Sequence, residues 1–156
     1  MQVSLPAFAA AVAPATAAPV QRAGAILLVE DDLDCREVLQ QVLDQEGYVV
    51  ASAADPAAAI SILEKSRPAM VLLDLRLSRE DGRSVLRYIR ENDSLCDVPV
   101  YIISGTSEVS WTGSGEGERI DGFFEKPINL PKLLGTVSAV VHRPAEVQAA
   151  HSRTKS

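Results

Sequence analysis

The amino-acid sequence predicts an α/β domain in which five parallel strands form one sheet with helices on both faces. Two observations predict it. From residue 25 onward, apolar runs of strand length alternate with segments of helical period, as successive β-α-β units do. The runs are also unbroken rather than interleaved with polar residues, the mark of strands covered on both faces.

The elements follow in order. Ala25–Val29 is an apolar run ending on Glu30, Asp31 and Asp32. Residues Asp32–Glu46 carry Cys35, Val38, Leu39, Val42 and Leu43 on one helical face, and Gly47 marks the stop. Tyr48–Ala53 is the second strand. Asp55 then serves as an N-cap before a first-turn proline, Pro56, and Ala59, Ile60 and Leu63 face inward. Ala69–Leu73 is the third strand and runs into Asp74. Asp81-Gly82 opens a third helix to about Arg90, with Val85, Leu86 and Ile89 inward. Val98–Ile103 is the fourth strand, ending on Ser104-Gly105. Asp121–Glu125 is a short fifth strand, ending on Lys126-Pro127. Asn129 caps a last helix with Leu133, Leu134, Val137, Val140 and Val141 at core spacing.

Residues 105–122 break the pattern. Five of the chain's nine glycines fall there, and an interior glycine costs a helix about 1 kcal/mol. A short or irregular fourth helix is expected, with the single tryptophan, Trp111, inside it. Residues 1–24 hold nine Ala and three Pro and read as a flexible extension. The prolines oppose a spanning helix, and no positive segment precedes the small-residue run as in a signal peptide. Residues 142–156 read as a polar tail.

Composition narrows the function. Of 156 residues, 47% are hydrophobic and 23% charged, ordinary globular values. The net charge of -6 argues against a nucleic-acid-coating protein. Two cysteines, Cys35 and Cys96, make no metal-ligand spacing and fit a reducing compartment. Both histidines, His142 and His151, lie in the last 15 residues, so the folded body is expected to hold none. Serine–histidine and cysteine–histidine catalysis and histidine-built zinc sites then fall away. Gly113–Gly117 is not a phosphate-binding loop, since no lysine and hydroxyl residue follow it.

Parallel sheets place their sites at the carboxyl ends of the strands. Those ends carry Glu30-Asp31-Asp32, Asp74, Ser104 and Lys126. Carboxylates ~5 Å apart at an effective dielectric of ~20 repel by about 3 kcal/mol per pair. A hard divalent cation would offset this, and an all-oxygen set suits Mg²⁺. Each piece has an ordinary reading as well: helix cap, turn acid, loop serine, surface lysine. Their fall at successive strand ends favours a site.

The segments ILLVEDD at 26–32, VLLDLRLSREDG at 71–82, VYIISGT at 100–106 and FFEKP at 123–127 resemble the receiver domain of two-component response regulators. The spacing matches too: Gly82 is eight residues past Asp74, and Lys126 is 22 past Ser104. The resemblance covers residues 25–141 and implies a (βα)5 flavodoxin-like receiver fold. It implies Asp74 as phosphoacceptor, Glu30 and Asp31 as the Mg²⁺-binding acids, and the backbone carbonyl of Arg76 as a further ligand. Ser104 would be the switch hydroxyl, Lys126 the cation on the phosphoryl group, Phe123 the switch aromatic, and Pro127 a cis proline. Two departures stand out: Ser78 replaces the usual proline, and the fourth-helix region is glycine-rich.

The resemblance further implies a cytoplasmic, stand-alone signalling switch that phosphorylates and dephosphorylates itself rather than a conventional enzyme. Its partners would be a histidine kinase or histidine phosphotransfer protein and a downstream protein, with no direct nucleic acid and no membrane. A piece of a longer protein is the alternative. Rival functions are a receiver fold that binds partners without phosphorylation, and an aspartyl-nucleophile phosphatase. The phosphatase needs an acid two residues past its nucleophile, where this chain has Arg76.

Overall fold

A computed structural model describes residues 25–77, 80–105 and 119–142. The elements are β1 (Ala25–Val29), α1 (Leu33–Gln45), β2 (Val49–Ala53), α2 (Pro56–Lys65), β3 (Met70–Asp74), β4 (Arg76–Leu77), β5 (Glu80–Asp81), α3 (Arg83–Glu91), β6 (Val100–Ser104), β7 (Gly122–Glu125) and α4 (Leu130–Val141). The expected flexible extension at 1–24, the irregular helix with Trp111, Ser78 and the tail beyond His142 lie outside the described residues.

Local chemistry sets the helix starts. Asp32, Asp55 and Asn129 are N-caps whose side-chain oxygens accept from the N–H groups of Cys35, Ala58 and Lys132. Each satisfies a donor that the first helical turn would otherwise leave unpaired. Gly47 has φ of +93°, a conformation that other residues adopt at a cost, and its N–H bonds the Asp44 carbonyl to end α1. The third helix opens at Asp81-Gly82 as expected: Gly82 is the N-cap, and the Arg83 N–H donates to Asp81 Oδ1 at 2.9 Å, while the Asp81 backbone pairs in β5.

The five longer strands form one parallel sheet in the order β2-β1-β3-β6-β7. Alternate residues of each strand feed two cores. Leu27, Val29, Val71, Leu73, Val100 and Ile102 pack with α2 and α3. Ile26, Leu28, Met70, Leu72 and Ile103 pack with α1 and α4 through Leu39, Leu43, Leu133, Val137 and Val140. Burying each such side chain contributes about 1.5–3 kcal/mol. Val38 departs from the sequence reading: it is 50% exposed, because Leu39 and Leu43 alone of α1 reach the sheet as fully buried residues. His142 also differs from expectation, since it is the C-cap of α4 with its ring 6.1 Å from that of Tyr48. No helix among the described residues is long and apolar enough to cross a membrane.

The chain leaves β1 for β2 on one side and reaches β3 on the other. This reversal opens a crevice at the carboxyl ends of β1 and β3, where open α/β sheets bind their ligands.

Candidate functional site at the carboxyl ends of the strands

Glu30 directly follows β1. Its N–H bonds the Ala53 carbonyl, continuing the β1–β2 ladder by one residue and carrying the side chain into the crevice. Glu30 is only 1% exposed. Its Oε2 accepts from the Asp32 N–H at 3.1 Å, while Oε1 lies 3.1 Å from Lys126 Nζ in an ion pair. Burial raises its pKa above the ordinary carboxylate value, and the charge of Asp74 adds to the rise.

Asp74 ends β3 and is 3% exposed. The Arg76 N–H donates to its Oδ1 at 2.8 Å and Lys126 Nζ to its Oδ2 at 2.9 Å, so both oxygens are held. Carboxylate oxygens of Glu30, Asp31 and Asp74 lie within 4.8 Å of one another. Lys126 is the cation facing this cluster. Burial alone would lower its pKa, but hydrogen bonds to Asp74 and Glu30 outweigh that and hold the ammonium above its ordinary value.

Ser104 ends β6, is 2% exposed, and follows the register partner of Asp74, Ile103. Its carbonyl accepts the Lys126 N–H at 2.8 Å, tying the β6 end to the lysine's own backbone. The Lys126–Pro127 peptide is cis. Phe123 is half-buried, opposite Ile102, in the core that α2 and α3 cover. Of the three acids after β1, Asp32 is the helix cap and Glu30 and Asp31 join Asp74.

The loop after Asp74 is folded back tightly. The β4–β5 pair joins Arg76 to Asp81 and Leu77 to Glu80. The Gly82 N–H bonds the Leu75 carbonyl at 2.9 Å, and a Cβ on Gly82 would lie 2.5 Å from the Asp74 carbonyl oxygen. Only glycine allows this approach.

A profile of the response regulator receiver domain matches residues 26–138. The chain belongs to that family. Among its relatives are response regulator MprA of Mycobacterium leprae, 32% identical over 127 residues, and transcriptional regulatory protein PrrA of Mycobacterium tuberculosis, 33% identical over 129. The matches cover 81% and 83% of this chain but 55% and 54% of those proteins, so the receiver spans about half their length. Among solved structures, the receiver domain of sensor histidine kinase PA1611 from Pseudomonas aeruginosa is 26% identical with a TM-score of 0.68, covering 76% of this chain and 97% of that one. That structure has a magnesium ion coordinated in its active site cleft. The receiver domain of NtrX from Brucella abortus is 27% identical, with a TM-score of 0.67 and coverage of 76% and 99%.

The receiver's own donor set fits a magnesium ion. Three carboxylates offer hard oxygen ligands within 4.8 Å of one another, and the one ammonium paired with Glu30 and Asp74 leaves negative charge for a cation to neutralise. Two features escaped the sequence reading. Arg36 Nη1 donates to the Glu30 carbonyl at 2.7 Å; a lone cation in the opening turns of an otherwise acid-flanked helix was its signal. Beside Lys126 lies an open groove of about 410 Å³ lined by Cys35, Val38, Leu39, Pro127, Ile128 and Leu130, with Asp32 and Asp34 also on its wall. Burial, then the charge of Glu30, pushes the Cys35 thiol up to about 11, so it stays protonated at neutral pH.

Proposed function

We propose that the protein is a phosphorylation switch in which Asp74 accepts a phosphoryl group from a histidine kinase or histidine phosphotransfer protein. The observation that carries the reading is the buried Asp74 carboxylate held by the Arg76 N–H and Lys126, beside two further acids. An Asp74 oxygen attacks phosphorus in line, the bond from phosphorus to the donor's imidazole nitrogen breaks, and an acyl phosphate forms on Asp74. Such transfer depends on positioning and charge neutralisation more than on covalent chemistry by the protein. Lys126 turns from the free carboxylate to a phosphoryl oxygen. Glu30, Asp31, Asp74 and the Arg76 carbonyl would hold Mg²⁺, which would supply neutralisation of charge on the phosphoryl oxygens. Ser104 donates to another phosphoryl oxygen, and Phe123 repacks as the β6 end moves, so the switch biases one of two arrangements. Water attack on the acyl phosphate resets it.

The donor histidine comes from a partner, and the groove beside Lys126 is the surface that partner covers. Val38, half exposed, belongs to its apolar wall. The downstream target is a protein. The length of MprA and PrrA beyond the match is where their further functions would reside.

The test is labelling with a small acyl-phosphate donor, read as a gain of one phosphoryl mass. Wild type should gain it with Mg²⁺ and lose it with chelator or alkali. Labelling of Asp74→Asn at the wild-type rate would overturn the assignment. Binding of partner proteins by a wild type that cannot be labelled would favour the phosphorylation-independent module.

A further inference from the structure

Arg36 is the only basic residue of α1 and sits in its fourth position. A cation near a helix N-terminus works against the helix dipole, so its presence there calls for a specific gain. The gain visible is one short bond: Arg36 Nη1 donates to the Glu30 carbonyl at 2.7 Å, the length of a charge-assisted hydrogen bond. Glu30 stands just past the β1–β3 register, which ends at Val29 and Leu73. Its N–H is tied to Ala53 of β2 and its carbonyl to Arg36, while the Asp32 N–H holds its carboxylate. The backbone between the two neighbouring acids is therefore clamped from three directions.

The geometry points to Arg36 as a positioning residue for the divalent-cation site: by holding the Glu30 carbonyl it fixes the peptide from which Asp31 projects. The inference rests on Glu30, Asp31 and Asp74 being the metal-holding acids. Partners that orient ligands from outside the coordination shell commonly matter 10- to 100-fold for metal affinity. The sign of the effect separates positioning from simple charge. A cation beside the site repels a divalent ion, so deleting Arg36 for its charge alone would tighten binding. Loss of positioning weakens it.

The experiment is calorimetric titration of the full chain with MgCl₂, with urea unfolding in chelator as the check on folding. Arg36→Ala is expected to bind Mg²⁺ about 10-fold more weakly than wild type. Arg36→Lys keeps the charge, shortens the reach and should fall between them. In an Asp31→Ala background, Arg36→Ala should produce no further loss. Equal or tighter binding by a folded Arg36→Ala, with wild type binding normally, overturns this inference alone. Absence of binding by wild type overturns the metal-site reading together with it. Where Arg36→Ala does not fold, Arg36→Lys decides, and wild-type affinity in that variant counts against the inference.

Discussion

The two ends of the sheet bury charge in opposite ways. At the carboxyl end, oxygens of Glu30, Asp31 and Asp74 lie within 4.8 Å of one another, and one ammonium, that of Lys126, pairs with Glu30 and Asp74. At the amino end, Arg90 has a side chain only 3% exposed and makes four hydrogen bonds. It donates to the carbonyls of Cys96, Val98 and Arg119 and to Asp121, whose same oxygen accepts the Val100 N–H at 2.8 Å. One end gathers three carboxylates against a single ammonium. The other joins α3, the loop before β6 and the entry to β7 through the guanidiniums of Arg90 and Arg119 around Asp121. The difference teaches that burial of charge by itself identifies nothing. Carboxylates gathered against one ammonium mark a place that a further cation would relieve, whereas guanidiniums bonded to carbonyls and a carboxylate mark a joint.

Five substitutions break or sharpen that contrast. The largest effect is expected from Asp74→Asn, which should abolish acyl-phosphate labelling by mass while leaving the urea midpoint in chelator unchanged or higher, since one like charge has gone. Arg90→Ala should do the reverse. It leaves the Val98 and Arg119 carbonyls without the guanidinium, while Asp121 keeps Arg119 and the Val100 N–H, and about 1–3 kcal/mol of stability should be lost in urea unfolding, the usual cost of leaving buried polar groups unpaired. A midpoint near wild type would show that the amino-end network is not a structural joint. Gly82→Ala lies between these cases, because its Cβ would press on the Asp74 carbonyl. A loss of about 1–3 kcal/mol is expected, together with slower labelling than the stability change explains.

The third contrast is in pH. Glu30 has a pKa raised above its ordinary 4.5, chiefly by burial and then by Asp74. A raised carboxyl binds more protons folded than unfolded, so its contribution to stability falls as pH rises from about 4.5 through the raised value. Urea midpoints in chelator should therefore rise for Glu30→Gln relative to wild type as pH climbs through that window, and excess Mg²⁺ should shrink the difference. Parallel pH profiles would mean the carboxyl end is not electrostatically strained. The smallest effect belongs to the groove. Val38→Asp should slow phosphoryl transfer from a protein donor several-fold, on the scale of about 1 kcal/mol for an apolar contact, and leave labelling by a small donor at the wild-type rate.

Much of the fold is legible in the chain because it is written locally. Asp32, Asp55 and Asn129 cap their helices through bonds three residues away, and Gly47 ends α1 through a backbone conformation of its own. The five apolar runs are strands because residues of that length and character cannot remain in water and have too little period to form helices. The apolar runs overshoot the strands by one or two residues where run and ladder do not coincide, as at Val98, which precedes β6. The candidate site was legible as a set of residues at strand ends, since a parallel sheet brings those ends to one edge whatever lies between them.

The tertiary structure decided what depends on distance between segments far apart in the chain. Nothing local distinguishes Asp32 from Asp31, but packing makes one a cap and aims the other at Asp74. Val38 has the helical spacing of a core residue, and it is exposed because α1 meets the sheet along Leu39 and Leu43. The β4–β5 pair arises where Gly82 closes on the Asp74 and Leu75 backbone, a contact with no apolar signature. Arg36 and Arg90 look like surface arginines in sequence, yet each finds backbone carbonyls that only the folded chain presents. A helix cap or an apolar run specifies itself within a few residues; a guanidinium's partner is chosen by where the rest of the molecule leaves an unpaired oxygen.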